Sequence, residues 1–237
     1  MGWSPRISSA DVVAIHAALI PTSNGDGEIL LFGGDNHDHA EARAGHFDHS
    51  RRFNCRAPLT PLIEVNSPSF DLFCCGHAFL GDGRLLVSGG TARFPAEAGP
   101  VHSPHQHFDG HSHCAAYQPW SGTFTAIPDM RAGGRWYPTL CTLGTGEVLA
   151  FHSHPGEDDT VRHNNNTPER FNPISIIWNV LPAIGADSVP VEYSRLHLVN
   201  DGRIFCSSRT SHARPKWLPL CASCSRDSGQ SEISRYK

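Results

Sequence analysis

The sequence has no long apolar run, and this already excludes one class of protein. None of its hydrophobic stretches approaches the roughly 20 residues that a helix needs to cross a bilayer. A surplus of positive charge is also missing, because the 237 residues carry a formal net charge of −4. A chain with this charge has no excess of positive residues with which to bind nucleic acid or an anionic membrane. We therefore expect neither as a partner.

A secretory signal and a regular cysteine spacing are also missing. The opening MGWSPRISSADVVAIHAALI lacks a basic n-region followed by an unbroken apolar core and a small-residue cleavage site. The eight cysteines are irregularly spaced and give no disulfide framework. The localisation therefore stays open.

Turn-forming residues, in contrast, are abundant. The chain has 22 glycines and 18 prolines, which suit an all-β protein with many turns better than a helical one. Its length is sufficient for one sizeable core or for several small repeated units.

A repeat decides between these two possibilities. A turn glycine followed by a charged residue and an apolar run occurs four times, at intervals of 56, 63 and 56 residues. Aspartate precedes the glycine in three of them, as expected for a tight hairpin that requires positive φ. The four glycines are Gly27, Gly83, Gly146 and Gly202.

A second signal recurs between these glycines. It reads Phe53-Asn54, Tyr117-Gln118 and Phe171-Asn172, and we expect each aromatic to open a second strand pair. A hairpin, a variable loop and a second strand pair make a four-stranded blade, so the sequence predicts a β-propeller. A β-sandwich with coincidental strands would not explain the near-equal spacing of two different signals.

Three stretches carry a resemblance to a known family. DLFCCGHAFLGDGRLLVSGG, RWYPTL and RHNNNTPERFNP resemble the kelch-like propeller of the galactose oxidase and glyoxal oxidase family of copper-radical oxidases. The likeness runs over residues 12–208, between a lead at 1–11 and a tail at 209–237 that we expect to be irregular and disordered. A lone Cys221-x-x-Cys224 in that tail is a weak motif.

The resemblance implies a seven-bladed propeller, whereas only about four blades are present. We therefore expect a partial, truncated kelch-type propeller. Its open edges would leave strands unpaired, which is a known route to self-association. Members of the family are often secreted.

Spacing brings two chemically interesting residues to equivalent positions. Cys74 lies nine residues before Gly83, and Tyr137 lies nine residues before Gly146. Both fall on innermost strands of neighbouring blades, where side chains can meet near the axis. Neighbouring residues of a strand point to opposite faces, so only one of Cys74 and Cys75 can face the axis.

The resemblance implies a role for this pair. In the family, a cysteine in the FC-x-G context is bonded through sulfur to the ring of a tyrosine in the R-x-Y context, and that ring ligates copper and holds the radical. Phe73-Cys74-Cys75-Gly76 and Arg135-Trp136-Tyr137 match these contexts. The motif selects Cys74 and leaves Cys75 a structural role.

The rest of a copper site is harder to find. Tyr193 also lies nine residues before its turn glycine, but Ser194 follows it where the family's second tyrosine is followed by a histidine, so we interpret it as a blade residue. His77 or His154 could substitute as a ligand, although no motif supports either. We therefore expect weak or no stable copper in this chain alone.

Histidines are concentrated in three segments that follow a second hairpin strand. Of the 16 histidines, 12 lie there, and the antiparallel hairpins predict that all three loops share the face of Cys74 and Tyr137. They could ligate copper or zinc, shape a substrate mouth or be solvated loops. The segments hold His37, His39, His46 and His49, then His102, His105, His107, His111 and His113, and last His152, His154 and His163.

Two functions from different classes remain. The first is a copper-radical oxidase that oxidises an alcohol or aldehyde, of sugar or glyoxal type, with dioxygen and releases hydrogen peroxide. The second is a non-catalytic kelch-repeat binding module. The Cys74 and Tyr137 contexts favour the first, and the missing ligands favour the second or an inactive fragment.

Overall fold

The computed structural model describes ten parts of the chain, and every regular element in them is a β-strand. None of the described residues forms a helix that is long and apolar enough to span a membrane. The described residues are 12, 14–22, 25, 27–33, 49–57, 60–93, 108–154, 165–183, 193–207 and 216–218.

Seventeen strands make up the described structure. They are β1 (His16–Ile20), β2 (Glu28–Phe32), β3 (His49–Asn54), β4 (Ile63–Asn66), β5 (Gly76–Phe79), β6 (Leu85–Ser88), β7 (Thr91–Arg93), β8 (Asp109–Gly110), β9 (Cys114–Gln118), β10 (Thr123–Ile127), β11 (Thr139–Thr142), β12 (Val148–Phe151), β13 (Glu169–Asn172), β14 (Ile177–Val180), β15 (Leu196–Leu198), β16 (Ile204–Cys206) and β17 (Lys216–Leu218).

The strands form successive antiparallel blades. Blade 1 is β1-β2-β3-β4, blade 2 is β5-β6-β9-β10, and blade 3 is β11-β12-β13-β14. Blade 4 has three described strands, β15-β16-β17, and a short β7-β8 ribbon is inserted into blade 2 between β6 and β9. The fold is therefore all-β and propeller-like with about four blades, as the repeat predicts.

The four turn glycines occupy the predicted hairpins. Each lies between the first and second strands of its blade, with φ of 73° at Gly27, 89° at Gly83, 82° at Gly146 and 83° at Gly202. A side chain rarely adopts this left-handed conformation, which explains why glycine recurs there. Blade 1 differs slightly, because seven residues connect its first two strands against five in the other blades.

The recurring aromatic lies elsewhere than expected. It does not open a strand pair, because Phe53, Tyr117 and Phe171 lie near the ends of the third strands β3, β9 and β13. The polar residue after it organises the next turn: Oδ1 of Asn172 accepts hydrogen bonds from the backbone N–H groups of Ile174 and Ser175.

Strand β17 extends the blade pattern past the boundary drawn at residue 208. It pairs antiparallel with β16 and so lies within the 209–237 stretch expected to be irregular. The Cys221-x-x-Cys224 motif lies outside the described residues.

The hydrophobic core lies between the blades. One cluster packs blade 1 against blade 2 and includes Phe32, Leu85 and Tyr117, and a second packs blade 2 against blade 3 and includes Leu86 and Trp178. A third, smaller cluster joins blade 3 to blade 4. Because each blade buries its faces on its neighbours, burial of apolar area holds the inner strands in fixed relative positions.

A buried ion pair joins the β10–β11 connection to blade 3. Nη2 of Arg135 donates to Oε1 of Glu169 at 3.0 Å and to the carbonyl oxygen of Thr167 at 2.6 Å, and both charged side chains are fully buried. The second carboxylate oxygen, Oε2 of Glu169, accepts the backbone N–H of Arg131 at 2.6 Å. The pair thus neutralises two charges that burial alone would make very unfavourable.

We expect Arg135→Met to reduce the free energy of unfolding by about 3–5 kcal/mol, since it leaves the Glu169 carboxylate buried without its cation. The double variant Arg135→Met/Glu169→Leu should lose less, because no uncompensated charge remains. Urea unfolding measures both values.

The matched control is Arg84→Met, which breaks the exposed Arg84–Asp82 pair of 2.7 Å and should cost at most about 1 kcal/mol. Equal losses in Arg135→Met and Arg84→Met would contradict a structural role for the buried pair.

Candidate functional site

Three residues take the same unusual backbone conformation where the innermost strand of a blade begins. Cys74, Tyr137 and Tyr193 precede β5, β11 and β15, and their φ angles are 60°, 61° and 49°. Left-handed φ costs a non-glycine residue about 1–3 kcal/mol and is maintained only when its surroundings impose it. We call these three the inner-end residues.

Backbone hydrogen bonds link the inner-end residues from blade to blade. The N–H of Tyr137 donates to the carbonyl oxygen of Cys74 at 2.9 Å, and the N–H of Tyr193 donates to the carbonyl oxygen of Tyr137 at 3.1 Å. The structure therefore brings the two sequence-predicted residues, Cys74 and Tyr137, together across neighbouring blades.

The side chain of Tyr193 bridges the other two blades. Its ring packs edge-on against the ring of Tyr137, with centroids 4.5 Å apart at 87°, and its hydroxyl donates to the carbonyl oxygen of Cys75 at 3.2 Å. Desolvation, followed by the nearby Cys75, Cys74 and Tyr137 groups, raises the pKa of Tyr193 well above its usual value. The phenol is therefore neutral at physiological pH and available as a hydrogen-bond donor.

Sequence reasoning treated Tyr193 as an ordinary blade residue and so missed this position. The signal was present, because Tyr193 shares the nine-residue spacing of Cys74 and Tyr137. Ser194 stands where the resemblance implies a histidine, so the spacing alone does not single out Tyr193.

The two adjacent cysteines are both buried, in different surroundings. Cys75 belongs to the cluster between blades 1 and 2, which also holds Phe32 and Leu72. Cys74 is buried just before the start of β5, beside the backbone of Tyr137. The structure describes six cysteines, and none of them forms a disulfide with another described cysteine.

Close backbone packing fixes the segment that carries Tyr137. The N–H of Arg135 donates to the carbonyl oxygen of His111, and the N–H of Gly90 donates to the carbonyl oxygen of Arg135, both at 3.0 Å. A Cβ atom on Gly110 would collide with the backbone of Arg135 and Trp136, so only glycine fits there. The buried Arg135 side chain holds the same segment from the other side.

His77 and His154, the two histidines considered as substitute ligands, lie in different places. The ring of His77 packs edge-on against His16 and Phe32 of blade 1, with centroids 5.3 Å apart in each case. His154 pairs through its backbone with Trp136, the residue before Tyr137, at 2.8 and 3.0 Å.

The histidine segments are only partly described. The side chains of His37, His39, His46, His49, His102, His105, His107 and His163 lie outside the described residues. Of the others, His111 and His152 are buried, while His113 is exposed and pairs with Asp129 at 2.9 Å. His111 is not solvated, because its buried ring hydrogen-bonds through Nε2 to the carbonyl oxygen of Asp71 at 2.8 Å.

His152 and Ser153 stand where blade 2 has Gly89 and Gly90. Their φ angles are 59° and 144°, against 70° and 132° for the two glycines, so side chains occupy a glycine-type backbone. Both are buried, and within the described structure neither ring nitrogen of His152 nor the hydroxyl of Ser153 has a hydrogen-bond partner.

The described residues do not supply three ligands of the usual kinds for a copper ion. Among the residues that the structure describes, no group of three or more His, Cys, Asp or Glu side chains could hold a metal. Tyr137 and Tyr193 could each offer a phenol oxygen, but His77 faces blade 1.

Comparison with known proteins supports the fold alone. No protein-family model matches the sequence, and no curated protein matches it. Among solved structures, a fungal alcohol oxidase of the AA5 family in complex with copper is similar to this chain, with a TM-score of 0.57 and 17% identity. The match covers 82% of this chain and 37% of that protein's length. The chain therefore has a distant structural relationship to a copper alcohol oxidase.

Stability should fall as the pH falls below about 6.5, because several buried histidines resist protonation. Desolvation lowers the pKa of His16 to about 3 and that of His111 and His152 to about 4. Between these values and the unfolded value near 6.5, the unfolded chain binds more protons, so the free energy of unfolding decreases with decreasing pH.

The variant His16→Phe should reduce this slope by up to about one proton, or about 1.4 kcal/mol per pH unit. Phenylalanine preserves the stacking on Phe32, whose ring lies 5.1 Å from that of His16. Urea unfolding between pH 4.5 and 6.5 measures how the free energy of unfolding changes with pH. These limits lie between the folded-state and unfolded-state pKa values given above. An unchanged slope would mean that His16 does not titrate below its ordinary range.

Proposed function

We propose that this chain is part of a copper-radical oxidase-like protein in which Cys74 and Tyr137 form a thioether-linked redox cofactor. Its substrate class is a small alcohol or aldehyde, including carbohydrate alcohols, that dioxygen oxidises with release of hydrogen peroxide. The distant likeness to a copper alcohol oxidase supports this proposal at the level of the fold.

One observation carries the proposal. Cys74 and Tyr137 occupy equivalent positions in adjacent blades, share left-handed φ, and are joined by the 2.9 Å hydrogen bond from the N–H of Tyr137 to the carbonyl oxygen of Cys74. Strained backbone is often found at functional sites, and here the strain fixes where the two side chains leave the backbone.

The cross-link is chemically balanced with dioxygen as the oxidant. The thiol hydrogen of Cys74 and one hydrogen from the Tyr137 ring carbon next to the hydroxyl-bearing carbon are lost as a carbon–sulfur bond forms. The two electrons and two protons reduce dioxygen to hydrogen peroxide. The resulting thioether would lower the oxidation potential of the Tyr137 ring.

Copper would supply the second electron acceptor of such an oxidase. Among the described residues, no group of three or more His, Cys, Asp or Glu side chains could hold the ion. This chain's own contribution is to hold Cys74 and Tyr137 in register and to limit their contact with water, as the burial of Cys74 favours.

Tyr193 is the positioning residue for Tyr137. An edge-to-face contact restricts the Tyr137 ring, and the hydrogen bond to Cys75 ties Tyr193 to the strand that carries Cys74. The side chain of Tyr193, which precedes blade 4, therefore contacts the start of blade 3 and the start of blade 2.

A non-catalytic binding module is the second candidate. The lack of a three-ligand metal group among the described residues favours it. A chain of this kind would hold a partner through its loops and would form no Cys74–Tyr137 bond.

Aerobic incubation with divalent copper should produce a peptide in which Cys74 is joined to Tyr137, with a mass two hydrogens below the sum of the separate peptides. Peptide mass spectrometry detects the product. The cross-link should be lost in Cys74→Ser and in Tyr137→Phe if the hydroxyl activates the ring.

Cys75→Ser is the matched control and should retain the cross-link, because Cys75 lies in the blade 1–blade 2 core. A Cys74 thiol that stays fully alkylatable after this treatment would overturn the proposal and leave the binding module.

Tyr193→Phe should lower the cross-link yield. Loss of the hydrogen bond to Cys75 removes about 1 kcal/mol of positioning energy, equivalent to about a fivefold change in the population of the held arrangement. Tyr193→Leu, which also removes the ring contact, should lower the yield further. Equal yields in all three proteins would show that Tyr193 does not position Tyr137.

A further inference from the structure

Strand β14 is the outermost strand of blade 3, and within the described part of the chain no strand pairs with its outer edge. Its described partner is β13, and Trp178 anchors it by burying its ring against blade 2 and donating from Nε1 to the carbonyl oxygen of Pro128 at 3.0 Å. The strand is therefore firmly held while its other edge presents backbone groups that only another strand can satisfy in a regular way.

The antiparallel register identifies those groups. The N–H of Leu181 donates to the carbonyl oxygen of Pro168 at 2.9 Å, so alternate residues from Leu181 backwards bond to β13. Val180 and Trp178 lie between them and direct their N–H and carbonyl groups to the outer edge.

Exposed apolar side chains surround this edge. Ile174 is 93% exposed, and Ile177 and Val180 are each 47% exposed. Ile176, at 43%, also has a φ of 55°, which is a true outlier for a β-branched residue. Asn172 accepts backbone hydrogen bonds from Ile174, Ser175 and Ile176, so the apolar groups of this turn are presented in a fixed arrangement.

The outer strands of the other two complete blades are different. Strand β4 also exposes an isoleucine, Ile63 at 45%, but it carries Glu64 beside it with a side chain that is 67% exposed, and the exposed positions of β10 include Thr123 and Thr125. These two strands also pack beside each other. Charged and polar side chains are the usual protection of an edge strand, and β14 lacks both apart from Asn179.

The lack of charge around β14 indicates which kind of strand would pair with its outer edge. No ionisable residue occurs from residue 171 to residue 186, so a strongly charged partner would gain nothing at this edge. A second copy of the same segment brings an equally neutral and apolar strand, and antiparallel pairing about a two-fold axis places no like charges opposite each other.

We propose that β14 is a self-association edge that pairs antiparallel with β14 of a second copy of this chain. With Asn179 opposite Asn179 of the second copy, Trp178 and Val180 exchange backbone hydrogen bonds with Val180 and Trp178 of that copy. Ile177 then lies opposite Leu181 of the second copy and is covered. This interface is distinct from the open blade ends, which the sequence predicted as the route to association.

The pairing is short. Pro182 ends the segment on one side, so in this register only the five residues from Ile177 to Leu181 can pair, and we expect a weak, concentration-dependent dimer. Sedimentation velocity over a dilution series measures its dissociation constant on the intact chain.

Two variants test the edge. Val180→Pro removes an N–H that points away from β13, so it should preserve the blade while breaking the intermolecular ladder. Ile177→Lys replaces the apolar side chain that lies opposite Leu181 of the second copy with a charged one, so the dimer loses that apolar contact. Each should raise the dissociation constant at least tenfold while circular dichroism and the urea midpoint stay close to those of the unaltered chain.

Ala126→Lys is the matched control, since it puts the same charge on an exposed position of β10, the outer strand of blade 2. It should leave the dissociation constant unchanged. A chain that is monomeric at all concentrations overturns the proposal. So does a dimer that Val180→Pro and Ile177→Lys leave intact, or growth beyond a dimer, which indicates an interface that does not close.

Discussion

The buried ion pair between Arg135 and Glu169 is the interaction on which the inner part of the molecule depends. The guanidinium of Arg135 also lies 3.4 Å from the carbonyl oxygen of His152. The Arg135 side chain therefore links the β10–β11 connection both to Glu169 of β13 and to the residue that follows β12. Tyr137 follows Arg135 by two residues. The position of Tyr137 therefore depends on the buried charge of Arg135, which is stabilised only while it is paired with Glu169.

Local spacing made much of the fold predictable. A tight turn needs positive φ within a few residues, so Gly83, Gly146 and Gly202 reveal the hairpins directly. The equivalence of Cys74 and Tyr137 follows from the same spacing, because a blade is a repeated unit. The contacts between neighbouring blades could not be predicted from local sequence in this way. Nothing in the chain near Arg135 points to Glu169, 34 residues away, since that contact arises only when two blades pack.

Two departures from the expected repeat have physical explanations. The aromatic position closes the third strand because its side chain fills the core between blades, as Tyr117 and Phe171 do, and the polar residue that follows organises the turn. His152 and Ser153 retain the backbone of a glycine pair. In blade 2 a side chain at Gly89 would collide with the carbonyl oxygen of Arg135. Blade 3 has room for the side chain of His152 at the equivalent position, and blade 2 does not.

We propose that Cys74 and Tyr137 direct their side chains toward each other at the inner ends of neighbouring blades. A crystal structure of the chain after aerobic treatment with copper would show their arrangement. We predict continuous electron density from the Sγ atom of Cys74 to the ring carbon next to the hydroxyl-bearing carbon of Tyr137, with the 2.9 Å backbone hydrogen bond between the two residues retained. Side chains that point to opposite sides of the inner-end residues would contradict the account.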